Sequence, residues 1–356
     1  MNNRTDTTAG LVSVGRRSFL GMGAGVLAGG VLLAACGSSN SSSKSSATTI
    51  HVGYNSSLTA GGVVAVGNHL GYFKDAGVNV VGVPFTSFPA QAAAFAGGSI
   101  DVAIPGLNPA INTLADSAVV ASLDNELNDI FVIAPNNSSI SSAADLKGKR
   151  VGYVQGTVSE LVLYAFLQTA GLTLADVRGQ ALQPDGLVTA YLSSQLDAAC
   201  IYLPFEATIA KKSKVKVLAR PSTLGNFAVP MFWMIRRSLI KNNPDAVSRL
   251  LFAKARANDW RAKNLKEAAG LAAKASGAPD DSAYLAQVDA ETWLTSQQIS
   301  DQYSSGRFQM AMDTGEKTMA AAKLLKSTAT VPDLVDTSLD QKALKAYLGG
   351  GTVKDL

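Results

Sequence analysis

The sequence predicts an α/β protein of two lobes, each a mostly parallel sheet flanked by helices. Three observations predict it. Short apolar runs bounded by turn residues alternate with stretches of helical length, the pattern of βαβ units. A strand–glycine–helix start occurs twice, around Ile100–Ala110 and around Val151–Glu160. The chain has 356 residues, 47% hydrophobic and 16% charged, enough for two cores and too apolar for a disordered majority.

The same totals exclude several classes. The net charge is only +4, and no Lys/Arg cluster interleaves with aromatics, so no nucleic-acid partner is expected. The histidines are His51 and His69 and the cysteines Cys36 and Cys200, without metal-ligand spacing, so neither metal nor other cofactor is implied. His51 falls in a strand and His69 on a helix face, which leaves no arrangement for a Ser/His/Asp triad.

The elements follow in order. Gly15-Arg16-Arg17-Ser18-Phe19-Leu20 precedes an apolar run over Val26–Ala35 that closes on Leu33-Ala34-Ala35-Cys36. Basic residues, an apolar core and small residues form an export signal over 1–35, too short and too rich in Gly and Ala for a retained span. The pair Arg16-Arg17 resembles a twin-arginine signal, with the general secretory route open because Gly15 stands where Ser or Thr is favoured. The run into Cys36 resembles a bacterial lipobox, which implies a lipid on Cys36 and a membrane-anchored, extracytoplasmic protein. Residues 36–47, rich in serine, are the flexible tether. Cleavage removes three of the 31 basic and one of the 27 acidic residues, leaving a net +2. Cys200, in an apolar run, is expected in the core.

Thr49–Tyr54 is a first strand, and Asn55-Ser56-Ser57 a polar loop after it. Val63–Phe73 has helical spacing and ends at Gly77. Val78–Val83 is a strand, Phe88–Ala96 an alanine-rich helix, and Ile100–Ile104 a buried strand running into Pro105-Gly106. Asn108 before Pro109 predicts a helix with Asn108 as N-cap and Pro109 at N1. Val119–Leu123 and Ile130–Ala134 are further strands, and Val151–Val154 opens a second βαβ series. There Thr157 and Glu160 have capping-box spacing. Asp185–Gln195 is a helix, Asp197–Tyr202 a strand ending in Leu203-Pro204-Phe205-Glu206, and Val215–Ala219 and Phe232–Ile235 short strands. From Pro244 to about Leu325 the pattern is helical, with Trp260 and Trp293 at core spacing.

Ordered landmarks then match a family. Gly98–Asp101 with Asn108-Pro109-Ala110 resembles the "GxxD…P-A" stretch of ABC-importer solute-binding proteins. Leu70–Val78 is similar to their "GlF…GldV" element, Ala144–Gly152 to their "DLKGKrva" entry into the second lobe, and Gly156-Thr157 to their ligand loop. Tyr202-Leu203-Pro204-Phe205 resembles "W-x-P-[YF]", with tyrosine in place of tryptophan. The resemblance covers about residues 48–265 and points to the sulfonate/nitrate/taurine branch, which includes binders of thiamine precursors. It implies a type II periplasmic-binding fold. Lobe 1 would be 48–134 with 226–356, lobe 2 would be 135–225, and the chain would cross near Pro135 and Asn226. It also implies a monomer that hands a small organic solute to an ABC permease and its ATPase.

The ligand loops expected on that basis hold Tyr54, Asn55 and Ser56; Gly106, Leu107 and Asn108; Gly156, Thr157, Val158 and Ser159; and Tyr202 and Glu206. None supplies Arg or Lys, so an anionic head group would rest on backbone N–H groups and hydroxyls at helix starts. Tyr54, Phe85, Phe88, Tyr202 and Phe205 are candidate apolar walls. Glu206 either faces a cationic nitrogen or serves the helix start after Pro204. An aliphatic sulfonate or taurine-like solute is expected, with a nitrogenous, thiamine-precursor-like solute, a sensor module and a pyrimidine-precursor synthase as the competing readings.

Overall fold

The computed structural model describes residues 47–225, 227–326 and 330–356. The expected export signal, Cys36 and most of the tether lie outside them, as does Asn226. Among the described residues no helix is long and apolar enough to cross a membrane.

Among the described residues there are ten strands: β1 (Thr48–Asn55), β2 (Val78–Phe85), β3 (Val102–Ala103), β4 (Ala118–Glu126), β5 (Ile130–Pro135), β6 (Arg150–Tyr153), β7 (Arg178–Ala181), β8 (Ala198–Tyr202), β9 (Val215–Ala219) and β10 (Pro230–Arg236). They form two five-stranded sheets, ordered β2-β1-β3-β10-β4 and β7-β6-β8-β5-β9. In the first, β1 runs parallel to β2 and β3, the product of successive βαβ crossovers. In the second, β6 runs parallel to β7 and β8 for the same reason. Each sheet also takes in one strand delivered from the other. β10 enters between β3 and β4 and is antiparallel to both. β5 enters between β8 and β9, again antiparallel to both. Both sheets are therefore mixed.

This exchange corrects the expected lobe boundary. β5 pairs with β8 and β9 and belongs to the second sheet, so the first crossing is Leu127–Asp129, ahead of Pro135. An apolar strand reads the same on either side of a crossing; only its partners reveal its sheet. The two crossings lie side by side. The Leu127 N–H donates to the Val229 carbonyl at 2.8 Å, and Glu126 pairs with Pro230.

Helices cover both sheets. Leu58–His69 is almost wholly buried because it lies between the first sheet and the C-terminal helices Pro244–Lys263 and Leu265–Ala275. Val158–Gln168 backs the second sheet. The long helix Pro244–Lys263 carries two cations into the interior, which burial tolerates only where partners are supplied. Arg261 bonds Asp124 at 3.0 Å, with both side chains fully buried. Its guanidinium also donates to the Thr59 carbonyl at 3.1 Å, tying this helix to the start of Leu58–His69. Lys254 donates to Ser122 Oγ and the Leu123 carbonyl. Trp293, half-buried, lies over the Arg261 guanidinium at 5.0 Å and donates its indole N–H to the Val288 carbonyl.

Candidate functional site

A cavity of about 290 Å³ opens between the sheets. One wall comes from the first lobe: Asn55 and Ser56 after β1, Phe85 and Phe88 around the end of β2, and Gly106 after β3. The other comes from Thr157 and Val158 after β6 and from Tyr202 to Phe205 after β8. Ligand crevices of α/β sheets lie at such carboxyl ends of parallel strands. The crossing Leu127–Asp129 closes the back.

The turn after β3 brings the walls together. Gly106 is the N-cap of Leu107–Pro109, in extended conformation, and a Cβ there would stand 2.5 Å from Val158 Cγ1 of the opposite wall. Only glycine leaves room for that approach. The helix therefore starts one residue before the expected N-cap, and Asn108 lies inside its first turn. Its side chain makes an interlobe bond instead of a cap. Asn108, fully buried, donates from Nδ2 to the Thr157 carbonyl at 3.1 Å. Asn112 holds it in place, donating to Asn108 Oδ1 at 2.7 Å and to the Leu324 carbonyl at 2.8 Å, while Asn112 Oδ1 accepts the Lys326 N–H at 2.7 Å.

The turn after β6 is stabilised differently. Gly156 has φ +74°, the left-handed region that favours glycine, and does not reach the cavity. Thr157 caps Val158–Gln168, accepting from the Ser159 N–H at 3.2 Å and donating to the Val154 carbonyl at 2.8 Å. Neither bond of the expected capping box forms. Thr157 accepts from Ser159 and not from the Glu160 N–H, while Glu160 reaches past Thr157 to the Gly156 N–H at 2.9 Å, and burial raises its carboxyl pKa.

Of the expected ligand residues, Asn55, Ser56, Gly106, Thr157, Val158 and Tyr202 line the cavity, with the aromatic walls Phe85, Phe88 and Phe205. The Tyr202 and Phe205 rings meet edge to face at 5.8 Å. Five others do not. Tyr54 fills the space left by Gly61 and Gly82, where its ring is buried, and burial raises its hydroxyl pKa. Leu107 packs against Gly315. Ser159 is fully buried, donating to the Cys200 carbonyl at 2.8 Å and accepting from the Val154 N–H at 3.1 Å. Gly156 is occupied with its turn. Glu206 sits half-buried in the first turn of Phe205–Ala210, off the cavity wall, and burial raises its carboxyl pKa. Asn108 reaches across to the opposite lobe, as described, without lining the cavity.

The structure adds a polar floor that sequence reasoning missed. Asp129, in the crossing, and Gln287, in the helix Ser282–Val288, both line the cavity and are both buried. Gln287 donates from Nε2 to Asp129 Oδ2 at 3.1 Å and accepts the Leu58 N–H on Oε1 at 2.6 Å. Asp129 also hydrogen-bonds Glu291, a carboxyl-to-carboxylate contact that needs a proton between the groups. Glu291 in turn accepts the Asn128 N–H at 2.7 Å. Burial raises both pKa values. Glu291 rises further because it also faces the charge on Asp129, so the proton belongs to Glu291. Thr59 Oγ1 and Asn55 Oδ1, on residues of the same cavity, are buried without a partner. Among the described residues lining the cavity there is no Lys, Arg or His.

Comparison with known proteins places this geometry. Residues 60–268 match the family described as NMT1/THI5 like. The chain belongs to the NMT1/THI5-like family. Relatives of this NMT1/THI5-like chain include a Bacillus subtilis protein named for binding aliphatic sulfonates, 28% identical over 90% of this chain and 96% of that one. The taurine-binding periplasmic protein of Escherichia coli is 24% identical over 80% of this chain and 88% of its own. Among solved structures, the periplasmic aliphatic sulphonate-binding protein SsuA of E. coli superposes with a TM-score of 0.65 at 20% identity, covering 81% and 92% of the two chains. Its fold is the one found here.

Proposed function

We propose that this protein is the extracytoplasmic solute receptor of an ABC importer, capturing a small organic solute between its lobes for delivery to a permease. One observation carries the reading: a cavity at the strand ends, walled by both lobes and backed by the crossing Leu127–Asp129. A ligand touching both walls binds the closed arrangement better than an open one, and that difference is what a permease can detect. The cavity lies at the small end of the usual range for ligand pockets, roughly 300–1,000 Å³. Relatives named for aliphatic sulfonates and taurine support a compact organosulfonate-type solute. With no cationic side chain on the described walls, its anionic group would be held by backbone N–H groups and the Ser56 hydroxyl. The proposed protein is a monomer, anchored through a lipid on Cys36 and tethered by residues 36–47.

An enzyme reading is weaker. The desulfurization enzyme DszB shares the fold, with a TM-score of 0.61 at 14% identity, but a fold carries no activity by itself. Cys200 is fully buried in β8, and burial pushes its thiol up to about 12, the signature of an inert structural cysteine. The test is a thermal-shift panel of aliphatic sulfonates, taurine and nitrogenous organic solutes. A true ligand at 100 times its Kd stabilises the folded state by about 2.7 kcal/mol. A panel in which no solute moves the melting temperature overturns the transport reading.

A further inference from the structure

The floor of the cavity has an electrical asymmetry that the walls do not offset. Asp129 is 5% exposed, and that residual surface lines the cavity. The groups facing it are few. Gln287 donates one hydrogen bond from the helix Ser282–Val288. Glu291 bears the proton of the shared contact from the segment behind it. Tyr202, from β8, feels the charge on Asp129 and that on Asp185, and both push its hydroxyl pKa further up. Arg261 lies near enough to lower the Glu291 pKa, but its own charge is taken up by Asp124 at 3.0 Å. The other acid of the wall, Asp185, is exposed at the rim. Among the described lining residues, the cavity therefore holds a buried carboxylate with hydrogen bonds from Gln287 and from its own backbone N–H, one shared proton and no cation.

A carboxylate in that position costs folding free energy unless something positive meets it. We infer that the cleft selects solutes carrying a protonated nitrogen, held by the Asp129 carboxylate on the cavity floor. Thr59 Oγ1 and Asn55 Oδ1, unpartnered on the same cavity, are acceptors for the remaining N–H bonds of an ammonium. Gln287 spans from Asp129 to the start of Leu58–His69, so carboxylate and acceptors belong to one corner. The solute is then bipolar, with its cationic end at this corner and its anionic end toward the Thr157 helix start. The inference rests on the solute-receptor reading and narrows its ligand from sulfonates in general to amino-substituted ones. It assigns the counter-ion role, one of the two readings open for Glu206, to Asp129.

Calorimetry on the full chain with matched probes tests it: taurine against ethanesulfonate, and 3-aminopropanesulfonate against propanesulfonate. At pH 7.5 the aminated member of each pair binds at least tenfold tighter. Asp129→Asn weakens the aminated probes by roughly 10- to 100-fold, the range for a hydrogen bond to a charged partner, and leaves the others within about threefold. Asp129 is pushed up to about 6, so the preference is near full at pH 7.5, falls as the pH drops through that value and is largely lost by pH 5, where most of the carboxylate is protonated. Glu291→Gln keeps a neutral donor toward Asp129, retains the preference and leaves its pH dependence unmoved. Asp129→Asn also raises the melting temperature of the ligand-free protein at pH 7.5, because an uncompensated buried charge is gone. A purely structural Asp129 predicts the reverse: a lower melting temperature and equal loss for both members of each pair. Equal affinities within the pairs, unaltered in Asp129→Asn, overturn the inference and leave the receptor reading standing. Failure of every probe and of the wider solute panel removes both.

Discussion

The two strand–glycine–helix turns look alike in sequence and do different work. After β3, Gly106 is needed for what lies across the gap: its backbone is ordinary, and the missing Cβ makes room for Val158. After β6, Gly156 is needed for its own backbone: φ is +74°, and an added Cβ would meet nothing within 4 Å. The first turn supplies interlobe contacts, through Gly106 and Asn108. The second supplies a capped helix start with a carbonyl for Asn108 to bond. The lesson is that a glycine at a ligand loop has two separable causes, steric approach and left-handed φ, and only coordinates tell them apart.

Substitutions separate these causes. Gly106→Val fits the extended backbone of its own lobe but drives a side chain into Val158, an overpacking worth about 1–3 kcal/mol. Solute affinity falls roughly 5- to 150-fold, and small-angle scattering shows a more open molecule even with solute present. Asn108→Ala leaves the Thr157 carbonyl without its donor and removes the partner of Asn112, costing about 1–2 kcal/mol, or roughly 5- to 30-fold in affinity. Gly156→Ala puts a Cβ into the left-handed region at about 1–2 kcal/mol. That cost appears as a melting temperature a few degrees lower, with affinity within about twofold. Glu206→Gln, off the cavity wall, changes affinity less than about twofold by titration calorimetry. If Gly156→Ala weakens binding as much as Gly106→Val does, the distinction between the turns collapses.

Much of this was legible in the residues. Apolar runs bounded by Gly and Pro marked the strands, and the glycine turns marked the cavity edge, because both depend on neighbours in sequence. Phe85, Phe88, Tyr202 and Phe205 stand beside such turns and line the cavity. Two things were hidden. The sheet that β5 joins depends on β8 and β9, not on any residue of β5 itself. The floor formed by Asp129, Gln287 and Glu291 joins residues more than 150 positions apart, and no spacing rule reaches that far. A single acid in Leu127-Asn128-Asp129-Ile130, between two apolar strands, was the one available hint. Tyr54 was misplaced for the opposite reason. It sits at a strand end, where ligand residues gather, but the vacancies at Gly61 and Gly82 draw its ring into the core.

The exchange of strands between the sheets also has a consequence in time. Among the described strands of its sheet β4 neighbours β10 alone, and β10 is also the strand that joins β4 to β3. Residues 118–126 must therefore wait for residues 230–236 before their backbone groups find sheet partners. Until that later segment emerges from the ribosome, the first sheet holds only β2, β1 and β3 among its described strands. The second sheet, built from β5 to β9, closes within one continuous stretch of chain. Vectorial synthesis thus favours completing the second lobe first, with the first lobe sealed by the returning strand.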